Sequence, residues 1–383
     1  MSSSSEHSPK QVVIVGAGVV GTATAYYLAN RFGIASTIVD PSGEIAPAAS
    51  GKAGGFLALD WNDFSPVGQL CRRSFDLHQE LADTLGADKL QYRRLTCASI
   101  SVDPTSAARP GGKKLEYVEW AQDDGAGAVL GACPLGDEST IAQVHPKKLC
   151  DTLWKFASKP KDEGGVGSTL VKGKVISALH EDGQVVGVKL EDESIVEGDA
   201  VLFAAGPWTA NIMTGVKYHS VVIPTDRTLS QCVFFAGAGD PEVYVRPDNT
   251  AYCCGFPDPT VKVTEEPGHE EVRPTAVERI VDAVRVASGG TETGGALAAE
   301  PSLAQACYLP MTPDNLPIMG RLPEEAGGGD GCFIATGHSC WGILMGPATG
   351  ESMATLIATG EGTDMVDLRP YNPLRFPNMR VLE

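Results

Sequence analysis

The sequence has little positive charge and no long hydrophobic run. Its 383 residues include 30 Lys and Arg against 48 Asp and Glu, a formal net charge of −18. Nucleic acids and anionic membrane surfaces bind positively charged patches, so this balance predicts that neither is a general partner. No segment reaches the roughly eighteen consecutive apolar residues of a transmembrane helix, so no membrane span is expected.

The start of the chain and its cysteines exclude further classes. Residues 1–10 are polar and lack the apolar core of a signal peptide, so we expect a disordered tail and a cytoplasmic protein. The ten cysteines form no C-x-x-C pair in a chain too large for a disulfide scaffold, which favours reduced thiols. No His, Cys, Asp or Glu residues have the spacing of metal ligands, so no metal is predicted.

The strongest positive signal is a glycine pattern near the start of the chain. Gly16-x-Gly18-x-x-Gly21 follows a buried strand and opens a helix, and Asp40 ends the next strand. A dinucleotide needs a tight turn, close approach of its pyrophosphate to the backbone and tight helix–strand packing, which these glycines permit. Asp40 would accept hydrogen bonds from ribose hydroxyl groups. The alternative is a glycine-rich turn without a ligand. No second complete pattern is found, so one dinucleotide, FAD or NAD, is predicted.

Four further segments resemble one family. They are Ala49–Phe56, Ala204–Trp208, Thr312–Gly320 and Phe333–His338. With the N-terminal glycine pattern they resemble, in the right order, the D-amino-acid oxidase-like family of FAD-dependent oxidoreductases, which includes glycine oxidase and sarcosine oxidase. The resemblance implies an α/β fold, with a Rossmann-like FAD-binding domain assembled from discontinuous segments and an α+β substrate domain with a mainly antiparallel sheet. The expected boundaries are 11–65, 140–215 and 300–383 for the FAD-binding domain and 66–139 and 216–299 for the substrate domain.

The resemblance also implies an FAD site built mainly from backbone groups. The turn before Gly342 precedes a helix whose N-terminus would face the flavin and stabilise negative charge in its reduced form. Val175 would contact the adenine side. The residues expected to contact the cofactor are Gly16, Gly18, Val19, Val20, Gly21, Asp40, Ser50, Gly51, Lys52, Gly54, Val175, Gly206, Trp208, Cys307, Gly337, His338, Gly342 and Ile343.

Cys307 has two interpretations. It lies six positions before Pro313 of the Thr-Pro-Asp segment, and in the sarcosine oxidase branch a cysteine at that spacing carries FAD covalently. Attack on the flavin methyl group requires a thiolate. The alternative is an ordinary buried cysteine.

The candidates for catalysis each have a structural alternative. Lys262 resembles a lysine that assists the reaction with oxygen, or is a solvated lysine. Leu309 stands where many amino-acid oxidases of the family place an arginine that binds the substrate carboxylate, so Arg246 and Arg227 are the remaining candidates for that role. His338 is a candidate general base or a hydrogen-bond partner within the fold. Trp341 and Tyr252 are candidates for the substrate pocket or for core packing.

These features predict an FAD-dependent enzyme that oxidises a C–N bond of a small amine or amino acid by hydride transfer to flavin N5. Oxygen or another acceptor would then reoxidise the flavin. A second hypothesis is a protein that binds FAD for stability and serves mainly as a partner-binding or trafficking factor. A third, an NAD-dependent dehydrogenase or imine reductase, leaves Thr312–Gly320 and the turn before Gly342 unexplained.

Overall fold

The computed structural model describes residues 8–103, 105, 115–121, 129–237, 239–258, 260–261, 263–288 and 294–382. Most of the predicted tail at 1–10 and the candidate Lys262 lie outside the described residues. The strands are β1 Val12–Val15, β2 Ser36–Asp40, β3 Phe56–Ala58, β4 Arg93–Arg94, β5 Thr96–Val102, β6 Val129–Gly136, β7 Ile141–Gln143, β8 Thr169–Lys172, β9 Val175–Glu181, β10 Gln184–Leu190, β11 Ile195–Glu197, β12 Ala200–Phe203, β13 Thr214–Pro224, β14 Gln231–Ala236, β15 Glu242–Arg246, β16 Thr250–Gly255, β17 Thr260–Val261, β18 Leu303–Met311, β19 Ile318–Arg321 and β20 Cys332–Thr336. The helices are α1 Val19–Tyr27, α2 Ala49–Lys52, α3 Gly68–Leu81, α4 Ala87–Leu90, α5 Pro146–Ala157, α6 Pro274–Val286 and α7 Gly342–Thr359.

A mainly parallel sheet holds the first glycine pattern. Its strand order is β19-β20-β12-β1-β2-β8, and β19 is the antiparallel member. Strands β1, β2, β12 and β20 are buried along their whole length, as expected for apolar strands covered on both faces. Their carboxyl ends meet at one edge, so segments far apart in the sequence come together there.

Helices cover this sheet, and α1 packs closely against α7. A Cβ atom at Gly350 of α7 would lie 2.5 Å from the Cβ of Ala23 of α1, so glycine permits this close approach. The two helices share one hydrophobic core with the inward face of α3 and with α5. The last helix is therefore fixed against the first.

The second large sheet is almost entirely antiparallel. It runs β18-β13-β16-β15-β14-β5-β6, with β17 beside one end of β13. Only the β14–β5 pair within this described sheet is parallel. Helix α6 packs on β13 and β16. The expected combination of a Rossmann-like sheet and a mainly antiparallel sheet is confirmed.

The domain boundaries stay a prediction, but two elements pack with residues assigned to the other domain. Helix α3, assigned to the substrate domain, packs in the core that contains α1 and α7. Strand β18, assigned to the FAD-binding domain, pairs along β13 in the antiparallel sheet. Where an element packs depends on its apolar face and on the strand it pairs with, and not only on its position along the chain.

Of the helices in the described ranges, none is both long and apolar enough to cross a membrane.

Candidate functional site

A cavity of about 460 Å³ lies between the carboxyl edge of the parallel sheet and one face of the antiparallel sheet. Segments from both ends and from the middle of the chain line it. The predicted residues that line the cavity are Gly16, Gly18, Val19, Val20, Asp40, Ser50, Gly54, Val175, Gly206, Trp208, Tyr252, Cys307, Gly337, His338, Gly342 and Ile343.

One end of the cavity is formed by the turn between β1 and α1. Gly16 has φ +111°, and a Cβ there would lie 2.5 Å from the carbonyl oxygen of Ala204. A side chain is therefore excluded, and the backbone itself forms the surface. The amide of Val19, in the first turn of α1, donates to Oγ of Ser50 at 2.9 Å. Other first-turn amides of such a helix lack intrahelical partners and favour an anion.

Asp40 lies buried at the same end. Its Oδ2 accepts a hydrogen bond from the Ala17 amide at 3.0 Å, and Oδ1 accepts bonds from the Ser42 amide at 3.0 Å and the Ser42 hydroxyl at 2.6 Å. These three bonds hold the carboxylate in place and leave acceptor capacity, since a carboxylate has about four lone-pair sites. Val175 lines this end of the cavity beside Lys174.

The N-terminus of α7 forms another part of the lining. Gly337 has φ +80° and turns the chain after β20, so that residues 337–340 precede the helix along the cavity. The side chain of His338 is buried, and its Nε2 lies 2.9 Å from Oγ1 of Thr349. Burial lowers the pKa of His338 to about 4, so the ring is neutral at pH 7. Because Nε2 is hydrogen-bonded to Thr349, His338 is better explained as a hydrogen-bond partner within the fold than as a general base.

A face of the antiparallel sheet closes the cavity on the other side. Alternation along neighbouring strands places Glu242 opposite Cys254 and Tyr244 opposite Tyr252. The two tyrosine rings stack with centroids 5.8 Å apart and an interplanar angle of 8°. We call this face the tyrosine wall; its members are Tyr218, Glu242, Tyr244, Tyr252, Cys254 and Leu309.

The backbone at Gly54 lies directly against the tyrosine wall. A Cβ there would overlap the Tyr244 ring, so only glycine fits between the wall and this segment. Leu309, which stands where an arginine was expected from the family, lines the cavity with an apolar side chain.

Besides Leu309, four residues of the tyrosine wall are not among the predicted site residues: Tyr218, Glu242, Tyr244 and Cys254. Glu242 is the acidic one. The Tyr244 hydroxyl donates to its Oε2, and the Cys254 thiol donates to the same oxygen at 3.5 Å. Burial raises the pKa of this carboxyl, and both hydrogen bonds act in the opposite direction. The alternation in Glu242-Val-Tyr244 was the available signal, but which face of the strand meets a cavity depends on the strands beside it.

Five of the residues predicted for the cofactor or for catalysis lie outside the cavity lining, and so does the alternative candidate Arg227. Gly21 and Gly51 face backbone carbonyl groups that a Cβ would strike, so they serve packing. The Lys52 ammonium bonds to the Glu270 carboxylate and, at 3.1 Å, to the Gly268 carbonyl. The other two residues are Arg246 and Trp341.

Arg246 and Trp341 contact neighbouring residues and do not line the cavity. The buried Arg246 guanidinium donates to the Ala53 carbonyl at 3.1 Å and lies 5.4 Å from the centre of the Tyr252 ring. Arg246 follows Tyr244 on the same face of β15, but beyond the cavity. Trp341 packs edge-on against Trp61, with ring centroids 6.3 Å apart. The alternative candidate Arg227 is exposed and pairs with Asp226.

Cys307 reaches the cavity from β18, opposite Tyr218. Burial raises the pKa of its thiol to about 12, and nearby Lys52 lowers it less. The thiol rather than the thiolate is therefore the dominant form at neutral pH.

The comparison with known proteins agrees with this geometry. A family model described as FAD dependent oxidoreductase (DAO) matches residues 11–356. The chain belongs to this family. An oxidoreductase of Schizosaccharomyces pombe is 31% identical over 390 residues, covering 92% of this chain and 95% of the relative. A glycine oxidase of Pseudomonas aeruginosa is 26% identical over 382 residues, covering 95% of this chain and 98% of the relative.

Solved structures share the fold of this FAD-dependent oxidoreductase. Glycine oxidase from Geobacillus kaustophilus superposes with a TM-score of 0.74 at 20% identity, covering 96% of this chain and 98% of that one. L-Proline dehydrogenase from P. horikoshii gives a TM-score of 0.72 at 20% identity, covering 96% and 98%. FAD is the cofactor of the family, and the enzyme class predicted from the sequence is confirmed.

Proposed function

We propose that this FAD-dependent oxidoreductase oxidises a C–N bond of a small amine or amino acid. The observation that supports this is that one continuous cavity is lined both by the glycine turn at Gly16 and by the tyrosine wall. When bound, the flavin would accept a hydride from the carbon beside the nitrogen, giving an imine, and O2 or another acceptor would reoxidise it.

The cradle of residues at the glycine end fits FAD. Gly16 presents bare backbone, the first turn of α1 offers amides for the pyrophosphate, and Asp40 retains acceptor capacity for ribose hydroxyls. We propose that the N-terminus of α7 lies at the flavin end, where its partial positive charge stabilises the reduced form. Gly337, Gly342 and Ile343 would hold that end through their backbone groups.

The tyrosine wall would position the substrate against the cofactor. Its Tyr244 and Tyr252 rings are buried and stacked, so we expect them to be rigid and to exclude water from the reacting atoms. His338 is neutral and already bonded to Thr349, so we assign it to holding the turn and not to proton transfer.

Two finer assignments complete the proposal. The high pKa of the Cys307 thiol favours FAD held without a covalent bond. The ten cysteines are all free thiols, which supports a reducing, cytoplasmic setting. The role of Lys262 in oxygen reactivity stays a prediction.

An anaerobic screen of amines and amino acids tests the function. FAD-loaded protein is mixed with each compound, and loss of visible flavin absorbance is followed. We expect at least one small amine to bleach the flavin and air to restore the colour. A flavin that no compound of the screen reduces would contradict the proposal.

A second function is favoured by one observation. No arginine from the described residues lines the cavity, and Leu309 stands at the expected clamp position. A protein that keeps FAD for stability and serves as a partner-binding factor would lose such groups first. The same screen separates the two functions, because the second one predicts no bleaching.

A further inference from the structure

The charge of the cavity is unusual for an enzyme that recognises a carboxylate. Of the described residues that line it, the basic side chains are His338 and Lys174. His338 is neutral because burial lowers its pKa to about 4, and Lys174 is exposed and paired with Glu191 at 3.0 Å. An anionic group of a substrate therefore finds no fixed cationic partner among these residues.

Glu242 instead places a carboxyl group on the tyrosine wall. Both of its observed hydrogen bonds, from Tyr244 and Cys254, reach Oε2. In the described chain no donor bonds to Oε1, although the residue lines the cavity. The hydrogen bonds to Oε2 thus orient the carboxyl group, and Oε1 is left to accept a hydrogen bond from a ligand in the cavity. An oriented carboxylate in a partly desolvated site is a strong partner for an N–H cation.

Aromatic rings on the wall favour the same ligand. Tyr244 and Tyr252 stack with each other on β15 and β16, and Tyr218 lines the same cavity from β13, on the far side of β16. Electron-rich rings attract cations, and aromatic side chains combined with a carboxylate are a common way to bind ammonium groups.

We propose that Glu242 binds an ammonium group of the substrate, so that the substrate class is a cationic amine whose recognition needs no carboxylate. This inference rests on the proposed function, because it places the substrate against the tyrosine wall. Glu242 is a specificity-determining residue in this scheme, and Leu309 adds apolar contact where a carboxylate clamp would otherwise stand.

Three probes that share a tert-butyl group and differ in charge test this: tert-butylammonium, tert-butanol and pivalate. The carbon bonded to nitrogen in tert-butylammonium carries no hydrogen, so it has no hydride to give and binding is read apart from oxidation. Each is titrated by calorimetry into FAD-loaded protein. We expect tert-butylammonium to bind most tightly and pivalate most weakly. This order of affinities is measured on the wild-type protein, so the result does not depend on the folding of a variant.

The variants locate the charge that is responsible. Glu242→Gln keeps an acceptor for Tyr244 and Cys254 and should weaken tert-butylammonium binding by about 10- to 100-fold, the size of a charge-assisted hydrogen bond. Glu265→Gln makes the same charge change at an exposed acid of the same cavity and should change it less than about twofold. FAD content and urea unfolding confirm that each variant is folded.

Two results would overturn the inference. One is pivalate binding as tightly as tert-butylammonium; the other is a folded Glu242→Gln protein with wild-type affinity for the cation. Failure of the proposed function is distinct, since it is a flavin that no amine reduces, whatever the three probes do.

Discussion

The Ser50 hydroxyl accepts a hydrogen bond from the Val19 amide at 2.9 Å, across 31 positions of sequence. Helix α1 has no side-chain cap of its own, because its N-cap is Gly18. Ser50 therefore supplies from α2 what a serine at the N-cap position usually supplies locally. Because it accepts in this bond, the hydroxyl keeps its own hydrogen, and we propose that it donates this hydrogen toward the phosphate of bound FAD.

Removing that hydroxyl should loosen the start of α1. We expect Ser50→Ala to lower the free energy of unfolding by about 0.5–2 kcal/mol, as for loss of a helix cap, and to weaken FAD binding. Urea denaturation of the apoprotein and fluorescence titration with FAD measure the two effects. Ser65→Ala, which removes an exposed hydroxyl bonded to the Asn62 carbonyl, is the control. Equal behaviour of the two variants would show that the cap is unimportant.

Adding one methyl group at Gly16 should disrupt the nucleotide end. Gly16→Ala places a Cβ 2.5 Å from the Ala204 carbonyl oxygen at a φ of +111°. We expect the free energy of unfolding to fall by more than about 1 kcal/mol and the purified protein to lose most of its FAD. Gly131→Ala is matched, because a Cβ there meets nothing within 4 Å. Retention of full FAD content by Gly16→Ala would contradict this account.

Cys307 should not hold the flavin covalently. Because burial raises its thiol pKa to about 12, little thiolate exists at neutral pH to attack the flavin. We expect acid precipitation to release the yellow colour into the supernatant, equally for the wild-type protein and for Cys307→Ser. The exposed Cys133→Ser variant is the control. A yellow pellet that Cys307→Ser abolishes would establish the covalent bond.

Buried histidines should make stability depend on pH. Burial lowers the pKa values of His78 and His338 to about 4, below the ordinary value of about 6.5. The unfolded chain therefore binds more protons in this window, so the free energy of unfolding falls as pH falls from about 6.5 to 4, by up to about 3 kcal/mol per histidine.

His78→Gln tests this directly, since the amide can still donate to the Ile343 carbonyl, which lies 2.9 Å from His78 Nε2. Urea denaturation at several pH values should show a shallower slope for His78→Gln than for the wild-type protein. His269→Gln, at an exposed position, should keep the wild-type slope. Identical slopes for all three proteins would refute the assignment.

Local signals in the sequence were enough for the nucleotide end. The apolar strand before Gly16, the glycine spacing and the acid at Asp40 are all contained in one βαβ unit, and the structure assembles them as expected. The turn at Gly337 could be placed only through the family resemblance, because its partner strand β12 lies more than a hundred residues earlier.

The tyrosine wall was not predictable in the same way. Glu242, Tyr244 and Arg246 alternate identically on β15, yet only the first two line the cavity. The difference arises because the Ala53 carbonyl covers Arg246, and nothing in β15 records where that distant segment passes. The chemistry of the side chains indicated which residues were candidates for the site. Which of them line the cavity depends on where distant segments of the chain pass.

In the parallel sheet β12, from the middle of the chain, lies between β1 near its start and β20 near its end. A ribosome therefore releases the glycine turn long before it makes the strand and helix that complete the cavity. A nascent chain that ends before α7 contains the glycine turn at Gly16 but not the later residues that line the cavity. We therefore expect stable FAD binding only after α7 has been synthesised.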